Sequence, residues 1–179
     1  AGIRYLISRQ DHLNKINVFP VPDGDTGTNM SFTMSSILES CIEEKQPRID
    51  EFTRVISEAA IDGARGNSGV LIAQFFVGFA EACEKQEKLG CNILAKAFQN
   101  GSKSARDAME DPREGTILTV FQDLADQVSK SVEDGLDDIY EIMKEGYKAA
   151  LQSLKDTPQK LKILKKAGVV DAGAQGFVD

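Results

Sequence analysis

Two aspartates separated by one glycine stand in a Pro- and Gly-rich segment over residues 17–30, Asn-Val-Phe-Pro-Val-Pro-Asp-Gly-Asp-Thr-Gly-Thr-Asn-Met. Asp23 and Asp25 can point to one side only on extended or turning backbone, because positions i and i+2 diverge on a helix. They would form an oxygen-rich site for Mg²⁺, which commonly takes one or two carboxylates and completes its shell with water and phosphate oxygens. Polar donors follow at the predicted start of the next helix: Thr26, Thr28 and Asn29. The alternative is a simple turn in which Asp and Thr cap that helix.

A second glycine-rich segment, Gly-Ala-Arg-Gly-Asn-Ser-Gly over residues 63–69, precedes the most apolar stretch of the sequence. Glycines let the backbone approach a ligand, and the amides of a helix N-terminus attract phosphate. Ser68 adds a hydroxyl, and Arg65 adds a fixed positive charge that could face a phosphoryl group. No Lys-Ser or Lys-Thr follows the glycine, so this is not a Walker loop. A glycine-rich cap between packed helices is the alternative interpretation.

Two further helix starts carry polar or apolar groups of interest. Residues 168–176, Gly-Val-Val-Asp-Ala-Gly-Ala-Gln-Gly, place Asp171 where it could accept a hydrogen bond from a ribose or cap the helix. In residues 114–119, Ile117 and Leu118 could lie against a purine ring, although core packing explains them equally well. The sequence alone leaves both alternatives open.

The composition limits which catalytic groups the chain can use. His12, the single histidine in 179 residues, lies in the predicted first helix, away from these loops, which disfavours histidine acid–base or covalent catalysis. Carboxylates, hydroxyls, amides and metal remain, and phosphoryl transfer needs little more than these.

The charge and cysteine content indicate the environment and exclude some partners. A net charge of -7 without a basic cluster argues against nucleic acid or an anionic membrane as the main partner. The longest apolar run, residues 70–82, is too short for a transmembrane segment. The three cysteines form no CxxC pair, so a reducing cytoplasm is expected: Cys41, Cys83 and Cys91.

Apolar residues recur at three- and four-residue spacing with almost no β-branched alternation, which predicts helix after helix and no strands. Beyond residue 66, the predicted helices cover residues 67–86, 91–109, 115–132, 137–155 and 158–167. Predicted breaks between helices fall at Pro47, Gly90, Pro112, Gly135 and Pro158. The first of these later helices lacks a polar face and is therefore expected at the centre. The expected fold is an all-α bundle or barrel of about eight antiparallel helices.

The chain length favours one domain over residues 1–179. The sequence begins without an initiator Met and ends just after a predicted helix start, so we expect it to be excised from a longer chain.

Together, the motifs at 17–30, 63–69 and 169–176 closely resemble the ATP-binding domain of fatty acid kinase A, within the family of the dihydroxyacetone kinase L subunit. Their order and spacing match across nearly the whole chain. The resemblance implies a barrel of eight antiparallel helices that binds ATP or ADP at one end, with two Mg²⁺ ions joining carboxylates to the phosphates. It also implies a DegV-like partner, or fused domain, that presents a fatty-acid carboxylate for phosphorylation.

The resemblance also implies roles for individual residues. Asp23 and Asp25 would be metal ligands and catalytic. Arg65 is a further candidate catalytic residue because of its positive charge in the second segment, and the resemblance itself does not assign it a role. Phosphate contacts would come from Thr26, Thr28, Asn29, Asn67, Ser68 and Gly69. The nucleoside would contact Thr116, Leu118, Asp171 and Gly173.

The first motif departs from the dihydroxyacetone kinase subunit at two positions. A third aspartate of that subunit corresponds to Val18, and Asn17 could replace it as a neutral metal ligand. Thr26 stands where that subunit has a histidine, which favours the fatty acid kinase branch.

Three other interpretations compete with the fatty acid kinase assignment. One is phosphorylation of dihydroxyacetone or another small polyol. The second is a non-catalytic nucleotide-sensing domain, and the third is a purely structural helical domain. A homodimer is also compatible with the sequence.

Overall fold

The computed structural model describes residues 2–43 and 48–179, and within them the protein is all-helical, as predicted. The helices are α1 (Gly2–Ser8), α2 (Gln10–Ile16), α3 (Thr26–Glu43), α4 (Ile49–Gly63), α5 (Gly66–Cys83), α6 (Cys91–Asp107), α7 (Ile117–Glu133), α8 (Ile139–Lys160), α9 (Lys162–Ala167) and α10 (Ala172–Val178). Only Arg9 separates α1 from α2, and only Leu161 separates α8 from α9. The described residues therefore form eight helical stretches. None of these helices combines the length and apolar character needed to cross a bilayer.

Helix α5 occupies the centre, as its sequence predicts, and packs against α3, α4 and α6. Phe75 on α5 lies 4.6 Å from Phe121 of α7, ring centroid to ring centroid, and Phe121 lies 4.6 Å from Phe177 of α10. These rings tie three helices into one apolar core. The enclosure is incomplete, because Val70 in the first turn of α5 is 40% exposed.

The predicted break at Pro158 is wrong, because α8 continues through Pro158 to Lys160. A proline has no amide hydrogen to donate to the carbonyl four residues earlier, here that of Leu154. The Thr157 hydroxyl donates to that carbonyl instead, at 2.8 Å, and Thr157 is fully buried. The chain turns at Leu161, so α8 ends later and α9 begins later than predicted.

The other breaks follow local chemistry. Gly90 is the N-cap of α6, Gly135 has φ +89 just after α7, and Pro112 lies between α6 and α7. Helix α7 begins at Ile117, two residues later than predicted, because Thr116 caps it. The break predicted at Pro47 lies outside the described residues.

The direction of the helices brings the polar loops together. Consecutive antiparallel helices joined by short connections alternate in direction, so α3, α5 and α7 start at the same end of the molecule. The start of α10 joins them there, because Asp171, which precedes α10, accepts the amide of Ile117 at the start of α7. This end carries the three glycine-rich segments.

Candidate functional site

A cavity of about 580 Å³ opens where these helix starts meet. It is lined from the loop after α2, the loop before α7, and the first turns of α3, α5, α7 and α10. Twelve of the residues predicted from sequence line it: Asn17, Asp23, Asp25, Thr26, Asn29, Asn67, Ser68, Thr116, Ile117, Leu118, Asp171 and Gly173. Segments up to about 150 positions apart in the sequence thus form a single site.

The loop that carries the two aspartates is closed by Asn17. Its side-chain Oδ1 accepts the amide N–H of Gly24 at 3.0 Å, and its Nδ2 donates to the carbonyl of Phe19 at 3.3 Å. Gly24 has φ +68, a conformation that favours glycine. Asn17 is buried, whereas Asp23 and Asp25 on either side of Gly24 are exposed at the cavity. Asn17 therefore braces the loop, and metal ligation by its oxygen stays a prediction.

Thr28 lies outside the cavity lining and joins α3 to α2. Its amide donates to Oδ1 of Asn14 at 3.1 Å, and its hydroxyl accepts from Nδ2 of the same side chain at 2.9 Å. Gly27 beside it fits directly against the backbone of Gln10, where a β-carbon would collide. These contacts fix the start of α3, so Thr28 positions the residues around it.

The start of α5 presents Gly66, Asn67 and Ser68 to the cavity. The N-cap residue Arg65 makes no side-chain hydrogen bond to the helix, so the first-turn amides are not capped by it. The Arg65 guanidinium donates to the carbonyls of Asp62 (3.2 Å) and Ala64 (2.7 Å) and does not line the cavity.

Gly69 and Gly66 allow the starts of α3 and α5 to pack closely. Gly69 lies outside the lining and fits against the hydroxyl of Thr33 on α3. A β-carbon on Gly66 would collide with the Asn29 amide group, so the starts of α3 and α5 are in direct contact. Phosphate binding by Gly69 and catalysis by Arg65 stay predictions that the geometry does not favour.

Asp171 joins the starts of two helices. Its Oδ2 accepts the amide of Ile117 at the start of α7 (3.0 Å) and the amide of Ala174 in α10 (2.9 Å). Its own amide donates to the Thr157 hydroxyl at 3.2 Å. Burial raises the pKa of the Asp171 carboxyl to about 6, although the two donating amides act in the opposite direction. Asp171 thus caps helices and also lines the cavity, so a capping role and contact with a ligand are compatible.

Thr116 organises the wall next to Asp171. Its Oγ1 accepts the amide of Leu118 at 3.3 Å and donates to the carbonyl of Arg113 at 2.8 Å. Ile117 and Leu118 are each 3% exposed and belong to the core while also lining the cavity. They give this part of the cavity an apolar wall.

Several lining residues have no counterpart among the sequence predictions. They are Phe19, Pro20, Val21, Gly66, Leu71, Met109, Asp111 and Arg113. Met109, Asp111 and Arg113 belong to the connection between α6 and α7, which has no glycine-rich pattern before Gly115. Their place in the cavity could have been predicted only from the helix order, because this connection precedes a helix that starts at the same end as α3 and α5.

The described residues contain no group of three or more His, Cys, Asp or Glu side chains arranged to hold a metal ion. Asp23 and Asp25 supply carboxylate oxygens at the mouth of a cavity large enough for a phosphorylated ligand. Such a pair suits Mg²⁺, which keeps several waters and takes phosphate oxygens as ligands. The site therefore fits a metal bound together with a phosphate ligand better than a metal bound by protein alone.

Comparison with known proteins identifies a family and several relatives. Residues 20–178 match the model of the DAK2 domain family. Uncharacterized proteins of Staphylococcus aureus strains USA300 and bovine RF122 / ET3-1 are each 40% identical over 177 residues, which is 99% of this chain and 32% of theirs. The chain thus spans about a third of the length of these curated relatives.

Solved structures show the same fold. The dihydroxyacetone kinase of C. freundii in complex with AMP-PNP and Mg²⁺ matches with a TM-score of 0.72 and 20% identity, over 99% of this chain and 30% of that one. Its native form matches with the same TM-score and covers 31% of that chain.

Proposed function

The chain belongs to the DAK2 domain family, and from this premise we propose that its cavity binds a Mg²⁺–ATP complex and serves phosphoryl transfer. The acceptor that we propose is a fatty-acid carboxylate presented by a DegV-like partner or fused domain. One observation carries the nucleotide part: the polar residues of three separate glycine-rich segments converge on one cavity of about 580 Å³. A coincidence of three unrelated helix caps would not require them to meet.

The cavity has complementary regions for the parts of a nucleotide. Asp23 and Asp25 would hold Mg²⁺, and the first turn of α5 with Asn67 and Ser68 offers donors to phosphate oxygens. The apolar wall at Leu118 suits a nucleoside. The volume lies within the range of roughly 300 to 1,000 Å³ that is typical of cofactor sites. The similar C. freundii dihydroxyacetone kinase was solved with AMP-PNP and Mg²⁺, which supports this assignment.

Phosphoryl transfer depends mainly on positioning and on neutralising charge at the phosphates. Magnesium supplies charge neutralisation when it is bound. The protein supplies a braced loop through Asn17, a fixed α3 start through Thr28, and two joined helix starts through Asp171. Since Asp23 and Asp25 are exposed, an acceptor held by another protein can approach them from solvent.

Calorimetric titration with ATP and ADP, with and without Mg²⁺, tests the nucleotide proposal. We expect binding that requires Mg²⁺ and is abolished by Asp23→Ala or Asp25→Ala, with the circular dichroism of the fold retained. Asp137→Ala removes an exposed carboxylate that does not line the cavity and is the matched control. Undiminished nucleotide affinity in both cavity variants would refute the assignment.

The acceptor needs a separate assay. Acyl phosphate formation with a fatty-acid-loaded DegV-like protein would support the proposed acceptor. If no acyl phosphate forms and dihydroxyacetone is phosphorylated instead, the protein would be a polyol kinase. The similarity to dihydroxyacetone kinase favours that second candidate. Nucleotide binding without transfer to either acceptor would indicate a nucleotide-sensing domain.

A further inference from the structure

The described lining of the cavity is rich in negative charge and has a single cation. Its ionisable residues are the carboxylates of Asp23, Asp25, Asp111 and Asp171 and the guanidinium of Arg113. A polyphosphate ligand adds several further negative charges, which this set of residues would repel. Metal at Asp23 and Asp25 offsets part of the charge, and Arg113 is the fixed positive charge that the described lining contributes.

The backbone that carries Arg113 is held in place. Its carbonyl accepts from the Thr116 hydroxyl at 2.8 Å, and the Gly115 amide donates to the Thr119 hydroxyl at 2.9 Å. Gly115 has φ +81 and is buried against Leu161, so the turn before α7 is closely packed. Arg113 therefore extends from a fixed turn at the cavity.

The Arg113 side chain is anchored at one point. Its Nη2 donates to Oδ2 of Asp111, and in the described part of the chain its other guanidinium N–H groups have no protein acceptor. The side chain is 59% exposed, so much of the guanidinium is available to a ligand. Arg65, the cation expected from sequence, donates instead to the carbonyls of Asp62 and Ala64.

We propose that Arg113 binds the phosphates of the nucleotide and that Asp111 holds its guanidinium in place before the nucleotide arrives. Carboxylate and phosphate oxygens are alternative acceptors for the same planar donor set, so the phosphate takes N–H groups that Asp111 leaves free or displaces it. This inference rests on the proposed nucleotide function.

The two residues should then have opposite effects on nucleotide affinity. Removing the charge of Arg113 deletes a charge-assisted hydrogen bond to phosphate. Removing the charge of Asp111 deletes both a competing acceptor and a carboxylate that repels the phosphates. The gain from changing Asp111 should shrink when Arg113 is already replaced, because the competition for the guanidinium no longer exists.

The test is calorimetric titration of the chain with ATP, ADP and adenosine in the presence of Mg²⁺. We expect Arg113→Gln to weaken ATP binding by about tenfold, the lower end for a hydrogen bond to a charged group at an exposed site. Asp111→Asn should strengthen ATP binding by roughly threefold, and adenosine binding should be unchanged in both variants. The double variant should bind ATP slightly more tightly than Arg113→Gln, by less than the gain from Asp111→Asn in the wild-type background, because the repulsion from Asp111 is removed but no competition is left to relieve.

Arg48→Gln is the matched control, because Arg48 also pairs with an aspartate two positions away, Asp50, and does not line the cavity. Wild-type ATP affinity in Arg113→Gln would overturn the inference and leave the nucleotide proposal intact. An equal loss for adenosine would also overturn it, because Arg113 would then contact the nucleoside. Failure of the wild-type chain to bind ATP would overturn both.

Discussion

Replacing Asp171 with asparagine removes a buried charge while keeping an oxygen that can accept the amides of Ile117 and Ala174. Asp171 is 5% exposed, and burial raises its pKa from 3.8 to about 6. The folded protein therefore holds the proton more tightly than the unfolded chain. A group with a raised pKa contributes stability that is fully present below its unfolded pKa and is lost as the pH rises through the folded pKa.

The magnitude follows from the two pKa values. Between about pH 4.5 and about pH 7, the free energy of unfolding of the wild type should fall relative to Asp171→Asn by about 2 kcal/mol. Other carboxylates titrate equally in both proteins, so their contributions cancel in the difference. Urea unfolding followed by far-UV circular dichroism at several pH values measures this difference.

Asp138 provides a matched control, because it accepts the amides of Tyr140 and Glu141 at the exposed start of α8. Asp138→Asn reports the effect of replacing an N-cap carboxylate that is not buried. A difference between wild type and Asp171→Asn that is independent of pH, or that grows in favour of the wild type as pH rises, would refute the reasoning. The amide hydrogen bonds would then outweigh burial.

Three further substitutions test the packing by urea unfolding at neutral pH. Thr157→Val should destabilise the protein by about 1 to 3 kcal/mol, because the Leu154 carbonyl loses the hydroxyl that replaces the missing proline amide. Gly78→Ala should lower the free energy of unfolding by about 1 to 3 kcal/mol, because a β-carbon would collide with the backbone of Asn100 on α6. Phe121→Ala should cost about 3 to 5 kcal/mol, because it removes a fully buried ring shared by three helices.

Exposed positions on the same three helices serve as controls for these substitutions: Lys155→Ala, Glu81→Ala and Lys130→Ala. Surface replacements usually change stability by less than about 0.5 kcal/mol. If a buried substitution destabilised the protein no more than the control on its own helix, the contact assigned to it would be wrong.

Local chemistry made much of the fold predictable. Helices depend on contacts between residues three and four positions apart, so the apolar spacing predicted an all-helical chain. Capping is also local, which is why Thr116 and Asp171 stand at helix starts as their residue types suggest. The central position of α5 followed from its composition, because a helix without a polar face must be enclosed.

The prediction from local chemistry was wrong at Pro158, where side-chain contacts compensate for the missing proline amide. Pro158 should end a helix, and it does not, because the neighbouring Thr157 hydroxyl satisfies the Leu154 carbonyl. That hydroxyl also accepts the amide of Asp171, which is 14 positions away in the sequence. The sequence pattern around the proline contains no sign of this second contact.

The sequence by itself determined which segments form helices, where their polar starts fall, and that Asp23 and Asp25 stand in a turn between two helices. Only the tertiary structure decided which of these groups meet. It turns Arg65 toward its own loop and places Arg113 at the cavity. It also pairs Thr28 with the side chain of Asn14, which fixes the start of α3. The physical reason is that residue type fixes what a side chain can bind, whereas its actual partner depends on which elements the packing brings within reach.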